Sequence, residues 1–169
     1  MIPRSAAPPL TFRFFVAHPA HFIALGFGAG MSPWAPGTVG TLLAIPLVDW
    51  LNLYTTDAGY LVAVLAFFVV GAWAAERTGR DLGVADHGGI VIDEIAAFLL
   101  VMFFVGTDLA RVALGFLLFR LFDIVKPAPI RTVDARMKNG VGVMLDDALA
   151  AGMALVAFAV ILRVTGWPG

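Results

Sequence analysis

The chain has no cysteine. That absence removes thiol nucleophiles, disulfides, iron–sulfur ligation and cysteine-based zinc sites together, so any chemistry must come from carboxylates, His, Arg or Lys, hydroxyls or a bound metal. Charge is also scarce: 14% of the 169 residues are Asp, Glu, Lys or Arg, 60% are hydrophobic, and the mean hydropathy is +0.92. These values lie far outside the soluble globular range and predict an integral membrane protein, with no nucleic acid as partner. The N-terminal MIPRSAAPPLTFRFF has no compact apolar core followed by a small-residue cleavage site, so it is not read as a signal peptide. A glycine-rich stretch at 26–46 lacks the Gly-Lys-Ser/Thr ending of a nucleotide P-loop. No Asp-x-Asp pair occurs to support an aspartyl-phosphate mechanism.

What is present is apolar sequence in span-sized pieces. A transmembrane helix needs roughly 20 apolar residues, and five segments approach that: about 39–55, 59–75, 90–106, 109–125 and 145–164. The stretch HPAHFIALGFGAG, 18–30, is apolar but short and glycine-rich, which suits a helix at the interface or a re-entrant turn. The expected fold is therefore all-α: a polytopic membrane helical bundle of about five transmembrane spans plus an N-terminal interfacial or re-entrant helix. Residues 18–165 form the single membrane-embedded domain, between tails at 1–17 and 166–169.

Short connections, NLYTTDAGY and GTDLA, force antiparallel hairpins and leave the two long loops on one face with the N-terminus. That face carries nine of the eleven basic residues, all but Arg111 and Arg163. Lys/Arg excess marks the cytoplasmic side. Nine of the twelve acids sit there too, which the positive-inside rule does not require.

Two of the acid groups repeat. GIVIDEIAA (89–97) and GVMLDDALA (142–150) both read Gly, three apolar residues, Asp, an acid, two apolar residues and Ala, each after a Gly-containing turn at the cytoplasmic start of a span. Asp93 and Glu94 thereby match Asp146 and Asp147. Adjacent helical residues point about 100° apart, so one acid of a pair can face the bundle while the other caps the helix N-terminus. The fourth span ends with FRLFDIVKPAPIR, in which Arg120, Asp123 and Lys126 are spaced for contact along one side of a helix. Clustered carboxylates near hydrocarbon are costly, and a divalent cation resolves that cost. An all-oxygen ligand set suits Mg²⁺ or Mn²⁺. Arg120 and Lys126 remain to receive an anion, and a phosphate satisfies both metal and cations. The same carboxylates could instead serve a divalent-cation carrier or channel, although no matching acids lie on the other face.

His87, in ADHGG, is a candidate general acid. In GFGAGMSPWAPGTVGTLLAIP (26–46), exposed N–H groups leading into a helix, with the hydroxyls of Ser32 and Thr38, could hold an anion. Gly71, Ala148 and Gly152 read as helix-packing positions, and His18 and His21 as surface polar groups.

Together GFGAGMSPWAPGTVGTLLAIP, DHGGIVIDE, FRLFDIVKPAPIR and GVGVMLDDALAAG resemble, in order and spacing from about residue 20 to 155, the phosphatidylglycerophosphatase A family of bacterial lipid phosphatases. The resemblance implies a multi-pass, Mg²⁺-dependent enzyme of the bacterial inner membrane. It would dephosphorylate phosphatidylglycerophosphate, a lipid partner in the bilayer, at the cytoplasmic face. The residues matching the family's acidic motifs are Asp93, Glu94, Asp123, Asp146 and Asp147, as metal ligands and catalytic groups, with Arg120 and Lys126 for phosphate. CDP-alcohol phosphotransferases also place several Asp residues on membrane helices, but their long Asp–Gly–Ala–Arg signature is absent.

Overall fold

The computed structural model describes residues 9–167, and every regular element among them is helical. Two short helices, α1 (Phe12–Ala17) and α2 (Pro19–Ala24), lead through a 3₁₀ segment (Gly26–Met31) into α3 (Pro36–Tyr54). Then follow α4 (Asp57–Leu82), α5 (Ile92–Val105), α6 (Leu109–Val125), the short α7 (Ile130–Arg136) and α8 (Gly140–Thr165).

Local chemistry sets the boundaries. The side chains of Thr56, Asp108 and Asn139 accept the N–H groups of Gly59, Arg111 and Gly142, capping α4, α6 and α8. Pro36 opens α3 where its missing N–H has no consequence. Lys126 ends α6 in the left-handed region (φ 45°), and Pro127 cannot continue the helix.

All five segments expected to be spans are helical. α4 and α8, 26 residues each, are long and apolar enough to cross a membrane. α3 has 19 residues but is not apolar enough throughout, and α6 and α5 have 17 and 14 residues, so of the five expected spans two are both long and apolar enough. α5 is shortened at its start because the chain before it keeps an irregular path to meet α2. There the Val91 N–H donates to the Ala24 carbonyl at 2.9 Å. The stretch 18–30 is a broken helix, interrupted at Phe27 and Gly28, which have positive φ.

α5 is the centre of the bundle and packs against α3, α4, α6 and α8. Phe98 meets Phe116 and Phe119 at centroid distances of 5.9 and 5.8 Å. The Tyr60 hydroxyl, buried on α4, donates to the Leu99 carbonyl at 2.9 Å. If lipid surrounds such a bundle, packing and hydrogen bonds of this kind must hold it, since burial against lipid-like surroundings gives little hydrophobic gain. A close backbone approach joins α8 to α4. A Cβ on Gly140 would lie 2.0 Å from the Ala72 carbonyl oxygen, and the Gly140 N–H donates to Glu76 Oε2 at 2.6 Å.

One histidine expectation changes, that for His21, while His18 remains partly exposed. His18 caps α2 by accepting the Ala20 N–H. His21 is 3% exposed, not a surface group. Its ring stacks on Phe14 and bonds Phe14 O and Asp81 Oδ2, both at 2.9 Å. Asp81 in turn accepts from Arg77 Nε at 2.9 Å, so this trio fastens the N-terminal helices to α4. Gly71 packs against Met144 and Ile92, but nothing lies within 4 Å of a Cβ on Gly152, which faces open space.

The two glycines should therefore respond oppositely. Gly140→Ala overpacks a backbone contact at a cost of about 1–3 kcal/mol, lowering the melting temperature in detergent by several degrees. Gly152→Ala should leave it equal or higher. Thermal unfolding of both variants measures this.

Candidate metal and anion site

Three helix segments converge at one end of the bundle. The first turn of α5 supplies Asp93 and Glu94, the second turn of α8 supplies Asp146 and Asp147, and the last two turns of α6 supply Arg120 and Asp123. Carboxylate oxygens of Asp93, Glu94 and Asp147 lie within 4.8 Å of one another, and Asp123 adjoins Asp147 within hydrogen-bond reach. Asp93, Asp123, Asp146 and Asp147 are buried. Two ionised carboxylates 4.8 Å apart repel by about 3.5 kcal/mol at an effective dielectric of about 20.

One guanidinium faces the cluster. Arg120 Nη1 is 2.7 Å from Asp123 Oδ2 and 3.7 Å from Glu94 Oε1. It also donates to Thr41 Oγ1 at 3.4 Å, while that hydroxyl donates its own proton to the Gly37 carbonyl at 2.9 Å. The bond to Gly37 leaves Thr41 presenting lone pairs to Arg120. Gly37 is required by close approach, because a Cβ there would sit 2.1 Å from Glu94 Oε1 and 3.1 Å from Arg120 Nη2. The first turn of α3 thus closes over the site.

Buried polar atoms without partners mark where something must bind. Among the described residues five buried side-chain atoms lack one, and four belong here: Asp93 Oδ1, Glu94 Oε2, Asp147 Oδ2 and Arg120 Nε. Three orphaned carboxylate oxygens fit a hard cation, and an orphaned guanidinium N–H fits an anion beside it. The fifth atom is Thr78 Oγ1 on α4.

The other expected residues are placed differently. Asp146 turns to Lys126, with which it forms a short ion pair, and accepts the Asp147 N–H at 3.1 Å. The duplicated motif is therefore not used symmetrically: both acids of the first copy face the cluster, but only the second acid of the other. Neither acid of the second copy caps a helix, because α8 begins at Gly140 under Asn139. Lys126 also lies 3.6 Å from Asp134, which Lys138 meets at 3.1 Å. Burial alone would lower the Lys126 pKa, but the Asp146 hydrogen bond and surrounding acids hold it above the usual lysine value. Partial burial works to raise Asp134, and the two lysines overcome that and hold its carboxyl below the usual range.

Ser32 is engaged locally, donating to Trp34 O at 2.8 Å, and Thr38 is half-buried in the first turn of α3. Ser32 and His87 line one pocket of about 560 Å³, together with Pro36 and Gly89. Pro36 adjoins Gly37, so the pocket neighbours the cluster through the start of α3. His87 Nδ1 accepts the Gly89 N–H at 3.0 Å, which puts the proton of a neutral ring on Nε2.

Three contributors escaped the sequence. Thr41 and Gly37 sit in the same GTVGT that drew attention to Thr38, and only the helical spacing of four could have singled them out. Asp86 stands beside His87 and adds its charge near Asp93, Asp146 and Lys126.

The model of a protein family described as Phosphatidylglycerophosphatase A matches residues 22–162. A phosphatidylglycerophosphatase A from Escherichia coli (strain K12) is 40% identical over 139 residues, covering 82% of this chain and 80% of its own. One from Haemophilus influenzae is 38% identical over 149 residues, covering 85% and 89%. A Bacteroides thetaiotaomicron protein, named provisionally as a phosphatidylinositol-3-phosphatase, is 39% identical over 158 residues, covering 85% and 94%. No solved structure matches the chain.

The like-charge cluster should trade stability for binding. With chelator present, Asp147→Asn is expected to raise the melting temperature by a few degrees, because removing one buried charge recovers about 1–3 kcal/mol of repulsion. Added Mg²⁺ should stabilise the wild type and leave the variant unchanged. Equal Mg²⁺ stabilisation of both would contradict the site.

Proposed function

The chain belongs to the phosphatidylglycerophosphatase A family, and from that premise we propose that it hydrolyses the terminal phosphomonoester of phosphatidylglycerophosphate to phosphatidylglycerol and phosphate. The observation that carries this reading is the pairing, in one buried cluster, of orphaned carboxylate oxygens with an orphaned Arg120 Nε. Such a site needs a cation and an anion together, as a phosphomonoester with its counter-metal provides. The cation-carrier alternative finds no support in the names of the relatives, all of which denote phosphatases.

Asp93, Glu94 and Asp147 would hold the divalent ion, with Asp123 beside them. The all-oxygen donor set suits Mg²⁺ or Mn²⁺. When bound, the ion supplies charge neutralisation and a lower pKa for the attacking water. Arg120, oriented by Asp123 and Thr41, binds phosphoryl oxygens through its open Nε–H and stabilises their charge as the P–O bond breaks. Lys126, kept cationic by Asp146 and Asp134, adds positive potential at the mouth of the site. Water attacks phosphorus and its proton passes to a cluster carboxylate, which returns it to the glycerol oxygen as the P–O bond breaks, while the neutral His87 ring, its Nδ1 accepting the Gly89 N–H, offers Nε2–H as a hydrogen-bond donor to the departing oxygen. Ser32 and Thr38, at the start of α3, line the approach of the phosphate.

The apolar helices and the Lys/Arg excess support a multi-pass arrangement in the bacterial inner membrane, with this end of the bundle at the cytoplasmic face. It puts the headgroup at the cluster while the acyl chains stay in lipid.

Purified protein should release phosphate from phosphatidylglycerophosphate in preference to phosphatidic acid or phosphatidylinositol 3-phosphate, and chelator should stop it. Asp93→Asn and Asp147→Asn are each expected to cost about 100-fold or more in kcat, and Thr41→Val about tenfold. Near-normal turnover in the Asn variants, or activity indifferent to chelator, would overturn the assignment.

A further inference from the structure

An apolar groove of about 510 Å³ opens between α6 and α8, lined by Phe122, Ala148, Leu149, Gly152, Met153 and Val156. On α8, Leu149 and Met153 lie three and seven residues beyond Asp146, on the side that carries that acid and its Lys126 partner, so the groove runs on from the Asp146–Lys126 pair. Its α8 residues form two adjacent rows at i, i+4 and i+8, Ala148–Gly152–Val156 and Leu149–Met153–Ala157, which run about 13 Å along the helix and away from the carboxylates. Gly152, in the middle of the groove, is exposed and would have nothing within 4 Å of a Cβ added to it, and Val156 beside it is 66% exposed, so the groove is open along its length to whatever surrounds the bundle. A second apolar recess, beside Ile92, spans little more than one turn of α4, from Ala66 to Val70, and offers no comparable track.

We propose that this groove seats one fatty acyl chain of the phospholipid whose phosphate occupies the cluster. The proposal rests on the lipid-phosphatase reading above and adds the subsite that orients the lipid. Lipid tails are as apolar as the groove, so the contact adds little affinity. It fixes where the chain leaves the headgroup, and hence where the phosphomonoester sits relative to Asp147 and Arg120. Misplacement by about 1 Å can cost a large factor in rate.

The test compares dioleoyl with dihexanoyl phosphatidylglycerophosphate, since six-carbon chains are too short to follow the groove. Gly152→Leu and Val156→Trp, which fill the groove, should each lower the ratio of long-chain to short-chain kcat/KM by about tenfold. A ratio unchanged in both variants overturns the proposal. So does a change in oligomer size on filling the groove, which would make the face a contact between copies. A dioleoyl-type lipid with a photoreactive group in one acyl chain, applied to the unaltered protein, should label 148–157. Labelling spread equally over the exposed face of α4 overturns it as well. If the unaltered protein hydrolyses neither lipid, the activity assignment fails, and the labelling still decides the groove.

Discussion

Mutual repulsion among buried carboxylates is the constraint around which this molecule is arranged. Asp93, Glu94 and Asp147 present oxygens within 4.8 Å of one another, in surroundings where water cannot screen them. A fold seldom maintains such a cluster for its own stability, because each ionised group raises the cost of the next. The bundle holds it by rigid means. α5 is enclosed by four neighbouring helices, Gly37 lets α3 close against Glu94, and Arg120 is fixed between Asp123 and Thr41. Each of these contacts restrains a group that would otherwise turn away to relieve the charge.

The two copies of the acidic motif show how helix register divides labour. In α5 the acids open the helix, and both reach the cluster. In α8 they lie nearly two turns in, and the 100° between neighbours sends Asp147 inward and Asp146 sideways to Lys126. Lys126 reaches Asp146 because α6 stops there, with the backbone turned into the left-handed region ahead of Pro127. Lys126, Asp134 and Lys138 thereby form a polar collar beside the cluster, built on the short α7. Arg120, by contrast, keeps a buried Nε–H without a hydrogen-bond partner.

Much of this was legible in the chain. Sparse charge and span-sized apolar runs pointed to an all-helical fold, in which two helices prove long and apolar enough to cross a membrane, and the repeated Gly-x-x-x-Asp-acid pattern with FRLFDIVK named the acids and Arg120 that meet. The lengths were less legible, because hydropathy continues through residues such as Ile90 and Val91 that the fold uses outside α5. His21 looked like a surface group since its partners, Asp81 and Phe14, are remote or unremarkable in sequence. Thr38 and Thr41 look alike in the sequence, and it is Thr41 that meets Arg120. Asp86 gave no periodic signal from its loop. Gly152 looked like a packing position and lies open instead, because small residues mark both tight contacts and gaps.

The central claim is that the carboxylate cluster and Arg120 together hold a divalent cation and a phosphate. It is tested most directly by paramagnetic resonance of Mn²⁺ bound to the detergent-purified protein with inorganic phosphate added. The account predicts one class of bound Mn²⁺ with hyperfine coupling to phosphorus, abolished by Asp147→Asn, and with the phosphorus coupling weakened by Arg120→Gln. Bound Mn²⁺ that persists in Asp147→Asn, or that shows no coupling to phosphorus in the unaltered protein, would contradict it.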